Sequence, residues 1–347
     1  MQIDKILRTA MEYNASDVYV TSGTKPTLRI NGNILPIAEH AELTNETASA
    51  YINEMMNDEQ KKKFAENWDI DFSIEIAGVA RFRVNVFIQR KGIGAALRVI
   101  PSKIRSMEEL KLPQALRKIP NLQNGLVLIT GPTGAGKSTT LAAIVAEINS
   151  QQAKHIITIE DPIEFVHANN RSIIEQRELT THTKDFKSAL RAALREDTDV
   201  ILVGEMRDLD TIELALTAAE TGHLVLSTLH TSGAAKSIDR IIDVFPSGQQ
   251  SQIRSMLAEN LRMIVWQSLL TKRDNSGLLG AYEILVNNHA VANLIRTSKT
   301  FQIQSAMETG ASEGMQTMKK CVMTMLEQGL ITDEEAQANI PDETDLS

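Results

Sequence analysis

The hydrophobic pattern divides the chain into two parts. Near the start, Ile3, Ile6, Leu7, Ala10 and Met11 recur at helical spacing. The segments "VYVTSG" and "TLRINGNILPI" then read as strands, and Asn31-Gly32 suits a two-residue hairpin turn between halves of the second. A second hairpin is expected around Ala77-Gly78. Phe72, Ile74 and Ile76 alternate before it, and Phe82, Val84, Val86 and Ile88 after it. Strand side chains alternate between faces, so Arg81, Arg83 and Asn85 must point away from the Phe82 side. The short run "ALRVI", residues 96–100, adds a strand carrying Arg98. Residues 1–100 therefore read as a small α+β domain. Residues 101–120, charged and bounded by prolines, read as a linker with short helices.

From Gly125 the pattern changes to strands alternating with helices, which predicts a mostly parallel sheet. Its strands fall at 126–130, 155–160, 200–203 and 224–229, each short and apolar as expected for burial on both faces. Between them, Phe186, Ala189, Leu190, Ala193 and Leu194 form one helical stripe. The helix "DTIELALTAAETG" opens with Asp210 and Glu213 in capping-box-like spacing and stops at Gly222. Beyond about residue 245 the chain reads as helical, apart from a strand "AYEILV" at 281–286. The main region thus spans 121–332. The tail, 333–347, carries acids, no base and little to bury, so poor order is expected there.

Composition narrows the classes. A chain of 347 residues with 42 % apolar residues can bury two cores. A formal net charge of −8 argues against a generic nucleic-acid grip. The single cysteine, Cys321, cannot form an internal disulfide, which makes a reducing compartment the default. The opening "MQIDKILRTAMEYN" interleaves acids and polar residues with its apolar ones and does not read as a signal peptide. No run approaches the roughly 18 apolar residues of a spanning helix. Membrane contact is therefore expected only through a partner or a surface.

The candidate chemistry begins at "LVLITGPTGAGKSTTLAAI", residues 126–144. Gly131, Gly136, Lys137 and Ser138 fit G-x-x-x-x-G-K-[ST], with a strand before and a helix after. In such a loop, Gly131-Pro132-Thr133-Gly134-Ala135-Gly136 turn backbone N–H groups around phosphates. The dipole of the helix carrying Lys137, Ser138 and Thr139 adds to this. Lys137 supplies a cation for the β- and γ-phosphates, and Ser138 a hydroxyl for Mg²⁺. A triphosphate nucleotide with Mg²⁺ is the expected ligand.

Such a site also needs carboxylates from neighbouring strand ends. "VILVGE" delivers Glu205, assigned to the Mg²⁺ shell through water, unless it caps a helix or pairs with Arg207 or Arg195. "ITIEDPIEF" delivers Glu160, Asp161 and Glu164, any of which could activate the water nucleophile on spacing alone. "ETGHLVLSTLHT" puts His223 and His230 at opposite ends of one strand. His230 lies on the Glu205 edge, where it could sense the γ-phosphate; His223 lies at the other end and suits a structural role. No Cys/His cluster has zinc spacing.

Together "GPTGAGKSTT", "IEDPIEF", "VGEMRD" and "TGHLVLSTLHT" resemble the Walker A, Asp, Walker B and His boxes of the secretion/type IV pilus ATPase superfamily. The likeness extends over nearly the whole chain, including "DVYVTSGTKPTLRINGNI", "ANLIR", "GMQTM" and "QGLI", and is strongest to the pilus-retraction, twitching-motility branch. The resemblance implies a PAS-like N-terminal domain, then a RecA-like P-loop ATPase domain with C-terminal helices. It also implies a homohexameric ring at the cytoplasmic face of the inner membrane, docked on a platform protein of the pilus machine. Nucleotide would sit between the domains, with Arg83 and Arg98 completing the site as catalytic arginines. The Asp-box glutamate of the family falls on Glu164.

Two departures stand out. The retraction-type motif A-I-R-N-L-I-R is "AVANLIR" at 290–296, with Ala292 in place of its first arginine. In the His box, Leu226-Ser227 stand where an aromatic and a glycine are expected. Assembly-type relatives usually add an N-terminal domain and a four-cysteine zinc insertion, for which this chain has neither the length nor the cysteines. The expectation is an ATP-hydrolysing hexameric motor for type IV pilus retraction. The alternatives are an accessory retraction paralogue, which could also be its partner, and a nucleotide-gated ring scaffold with little turnover. A nucleic-acid translocase is disfavoured by the acidic balance and the lack of a basic–aromatic stripe.

Overall fold

The computed structural model describes residues 3–30, 32–100 and 103–340. It divides into two compact units, residues 1–103 and 104–347. The first unit contains helix α1 (Asp4–Glu12) and strands β1 (Asp17–Thr21), β2 (Thr27–Ile30) and β3 (Asn33–Pro36). Helices α2 (Asn45–Asn53) and α3 (Asp58–Asn67) follow, then strands β4 (Asp69–Ile76), β5 (Ala80–Gln89) and β6 (Gly92–Ile100). The strands form one antiparallel sheet in the order β3-β2-β1-β6-β5-β4.

Both expected hairpins are present. Ile30 pairs with Asn33 across a two-residue turn. Gly32 takes φ +83° there, and Asn31 lies outside the described residues. Ile76 pairs with Ala80 around Gly78, at φ +69°. Alternation along β5 buries Phe82, Val84 and Val86 and exposes Arg83. The buried side chains join Ile3, Ile6, Leu7 and Ala10 in the core of this unit.

In the second unit the described elements are β7 (Gly125–Thr130), α4 (Lys137–Gln151), β8 (His155–Glu160), β9 (Ile173–Glu178) and α5 (Phe186–Ala193). These lead to β10 (Val200–Val203), α6 (Leu209–Glu220), β11 (Leu224–Leu229), α7 (Ala234–Asp243) and α8 (Ser247–Asn260). Next come β12 (Leu261–Thr271), β13 (Leu278–Val286), α9 (His289–Arg296), α10 (Ile303–Thr309), α11 (Met318–Glu327) and α12 (Asp333–Asn339). The sheet runs β13-β12-β7-β11-β10-β8-β9, parallel throughout except for the β12–β13 hairpin. Two apolar layers cover it. One holds Leu190, Ile212, Leu216 and Ile241; the other holds Leu116, Ile119, Leu141, Ile144 and Ile148.

Several expectations need correction. Residues 104–120 are not a free linker: Met107, Leu112, Leu116 and Ile119 are buried in the second unit's core. The stretch beyond 245 is not helical apart from 281–286, because residues 261–271 form the long strand β12. The cap of α6 is Asp208, whose side chain accepts from the Thr211 N–H, rather than Asp210. Residues 333–339, expected to be poorly ordered, form α12, capped by Thr332 and burying Ala336. The remainder of that acidic tail, residues 341–347, lies outside the described residues. No helix among the described residues is long and apolar enough to cross a membrane.

Candidate active site

The parallel register sets the stage. Val203 of β10 lies beside Ile159 of β8 and Ser227 of β11, and Leu229 of β11 lies beside Thr130 of β7. Four strands therefore end on one edge, and the segments leaving them carry the candidate residues. This is the crevice where open α/β sheets bind ligands.

The glycine-rich loop leaves β7 and enters α4. Its cap, Gly136, takes a left-handed conformation (φ +83°) and gives no side-chain cap, so the first amides of α4 stay available to an anion. Lys137 is buried; its Nζ donates to the carbonyls of Gly131 and Pro132 at 2.9 Å each and lies 3.5 Å from His230 Nδ1. Burial pushes the Lys137 pKa down, and the carboxylates of Glu205 and Glu164 push back. Both acids therefore act on the same ammonium. Pro132, Thr133 and Gly134 are exposed at the loop tip, Ala135 is buried, and Ser138 and Thr139 are half-buried on the first turn of α4.

Glu205, just past β10, faces two basic side chains. Its Oε2 accepts from Arg207 at 2.8 Å and lies 3.5 Å from His230 Nε2. The ion pair with Arg207, foreseen as the alternative role for Glu205, is thus present. It raises the Arg207 pKa, with a smaller contribution from Asp161. Arg207 is exposed.

The three acids of the β8 end separate in the structure. Glu160 accepts from Thr158 Oγ1 at 2.6 Å and Gln176 Nε2 at 3.2 Å, and burial raises its pKa. It is committed to internal bonds. Asp161 and Glu164 are exposed, and of these only Glu164 acts on Lys137. The segment between them is anchored by buried Glu178, which accepts from the Ile163 N–H at 3.1 Å. His230 is exposed at the edge beside Glu205, whereas His223 at the other end of β11 bonds the α6 terminus through Ala218 O at 3.0 Å.

Arg83 and Arg98 belong to the first unit. They are direct cross-strand partners on β5 and β6. Arg98 is held by Asp17 at 2.9 Å, and Arg83 lies 3.8 Å from Asp71.

For a divalent cation the protein alone offers no cage: among the described residues no three His, Cys, Asp or Glu converge. The oxygen donors Ser138 and Glu205 instead fit a hard cation that takes most of its ligands from phosphate and water.

The family model for type II/IV secretion system proteins matches residues 1–340. The chain belongs to that family. It is 48 % identical over 348 residues to the type IV pilus retraction ATPase PilT of Pseudomonas aeruginosa, covering 99 % of each chain. It is 49 % identical over 342 residues to a twitching motility protein of Neisseria gonorrhoeae, covering 99 % of this chain and 91 % of the relative. A crystal structure of the pilus retraction motor PilT with bound ADP superposes with a TM-score of 0.92 at 46 % identity, over 98 % of this chain and 97 % of that one.

Sequence reasoning missed two parts of this candidate site. One is β9, whose Gln176 and Glu178 hold Glu160 and the Asp-box segment. The other is Gln267 on β12, which bonds both the glycine loop and α4. Neither sits in a patterned motif, so only the fold reveals them. At the departures, Ser227 Oγ donates to the Val203 carbonyl at 2.7 Å, tying β11 to β10, and Ala292 packs on the core from α9.

Proposed function

We propose that this chain is an ATP-hydrolysing motor that drives type IV pilus retraction. The observation that carries the reading is the action of Glu164 and Glu205 on one buried ammonium, Lys137, at the mouth of a glycine loop. The setting is a chain 48 % identical, end to end, to a retraction ATPase.

In this reading each candidate residue takes a role in phosphoryl transfer. Loop amides and Lys137 bind the β- and γ-phosphates. Ser138 and Glu205 hold Mg²⁺, which when bound neutralises charge on the phosphates. Glu164, exposed and without the bonds that occupy Glu160, takes the proton of the attacking water. That water's oxygen bonds to the γ-phosphorus as the bond to the ADP oxygen breaks, yielding ADP and phosphate. His230 reports the γ-phosphate to Glu205. Arg83 and Arg98, supplied by a neighbouring copy in a homohexameric ring, neutralise the transition state. The first unit has the PAS-like role in that ring. The ring acts at the inner face of the inner membrane, on a platform protein of the pilus machine.

The test is steady-state ATPase activity of the full chain with Mg²⁺, with molecular mass measured in the same samples, beside Glu164→Gln. A hexamer that hydrolyses ATP, and a variant that binds ATP but hydrolyses it at least 100-fold more slowly, are expected; general-base removal typically costs about 10²–10⁴ in rate. A ring that binds ATP with no turnover above the variant would leave a nucleotide-gated scaffold in place of a motor.

A further inference from the structure

Gln267 lies in the middle of β12 and is 2 % exposed. A buried primary amide is costly unless its donors and acceptor are used. Here both ends are used, and both contacts are part of the nucleotide loop's frame. The Gln267 Nε2 donates to the carbonyl of Ala135, inside the loop. Its Oε1 accepts from the Thr140 hydroxyl at 2.9 Å, on the first turn of α4. The backbone presses on the same loop: a Cβ at Gly131 would lie 2.3 Å from the Gln267 carbonyl oxygen. One residue thus touches the beginning of the loop, its last turn and the helix behind it.

We propose that Gln267 is a positioning residue for nucleotide binding, a clamp that holds the glycine loop in its phosphate-accepting shape. The inference rests on the reading of this loop as a nucleotide site. The amide fixes the Ala135 peptide, and the Gly136 and Lys137 amides follow directly from it. Thr140 ties the same clamp to α4, so loop and helix N-terminus keep one relative geometry. β12 pairs with β7 in parallel up to Trp266–Thr130, which carries the clamp onto the strand that feeds the loop. Beyond Gln267 the same strand continues to Leu270, in the cluster with Met318, Val322, Ile331 and Ala336. The clamp thereby joins the loop, through hydrogen bonds to Gln267, to the strand on which the C-terminal helices pack.

The experiment measures ADP and ATP dissociation constants by calorimetry, and kcat and KM, on the full chain. The variants are Gln267→Leu, Gln267→Glu, Thr140→Val and Thr140→Ser. Gln267→Leu is expected to weaken ADP tenfold or more and to raise KM for ATP by more than it lowers kcat. Thr140→Val should lose part of that affinity, and Thr140→Ser, which keeps the hydroxyl, should restore it. A residue needed only for folding would lower the melting temperature and active fraction and leave the dissociation constant of the folded protein unchanged. If Gln267→Leu fails to fold, the Val and Ser pair at position 140 decides. Wild-type ADP affinity in Gln267→Leu, or equal affinity in Thr140→Val and Thr140→Ser, overturns the clamp. Because ADP binding needs no turnover, a chain that binds ADP but does not hydrolyse ATP defeats the motor and leaves the clamp to be judged by its own variants. A wild-type chain that binds no ADP defeats both.

Discussion

Lys137 is a residue on which burial and charge act in opposite directions. Desolvation disfavours its cation, while Glu205 and Glu164 favour it. A nucleotide's phosphates would add to the second effect. Lys137→Ala should therefore weaken ATP and ADP binding by roughly 10–100-fold, the scale of a charge-assisted hydrogen bond, measurable by calorimetry. His167, two residues past the Asp-box segment, offers a pH signature. Burial lowers its pKa from 6.5 to about 4. Below pH 6.5 the unfolded chain binds a proton that the folded chain refuses. Its contribution is therefore complete above that pH and is lost as pH falls toward about 4. His167→Gln should remove that fall, roughly 3 kcal/mol for a shift of that size, from the melting curves of wild type against variant between those limits.

Elements differ in how legible they are before folding. The four central strands and α4 carry their own short-range signals: apolar β-branched runs, glycines, a Lys-Ser pair. β12 carries none. Its "LRMIVWQSLLT" mixes helix formers with strand formers and follows α8 with no glycine or proline between, so its conformation comes from pairing with β7 and β13. β9 is similar: "IIEQRE" is short and half polar, and becomes a strand because β8 offers it an edge. The same logic explains which site residues were readable. Lys137, Ser138, Glu164, Glu205 and His230 sit in patterned boxes beside strand ends. Gln176, Glu178 and Gln267 act across the sheet, and no local pattern marks them.

Two predictions belong at this scale. Gly131→Ala would set a Cβ against the Gln267 carbonyl at a φ of +143°, so nucleotide binding should be abolished in a calorimetric titration while the first unit's circular dichroism is kept. The C-terminal layer, where the tail was expected to contribute little, should prove structural. Ile331 is fully buried among Leu270, Val322 and Ala336, and Ile331→Ala should cost about 2–4 kcal/mol in denaturant unfolding.

At the scale of the whole molecule, the candidate groups are divided between the two units. The second unit holds the loop, Glu164, Glu205 and His230; the first holds Arg83 and Arg98, cross-strand partners restrained by Asp71 and Asp17. Arginines held in this way are poised rather than free, and an arginine that completes a phosphoryl-transfer site is worth roughly 10³–10⁵ in rate. If each site borrows its arginines from the next copy, hydrolysis in one copy must move its neighbour, which is what a ring motor requires. Arg83→Ala alone should then bind ATP and lose turnover by about that factor.

The most direct measurement is ATPase activity after mixing Arg83→Ala and Glu164→Gln chains in equal amounts, dissociating them and letting them reassemble. Each variant alone should be inactive. With sites shared between copies, a mixed ring rebuilds an intact site wherever an Arg83→Ala copy receives its arginine from a Glu164→Gln neighbour, about a quarter of sites for random assembly in a head-to-tail ring. Activity returning in the mixture to a fraction of that order is the predicted result. A mixture as inactive as its parts, with rings of full mass, would contradict it and place every catalytic group within a single chain.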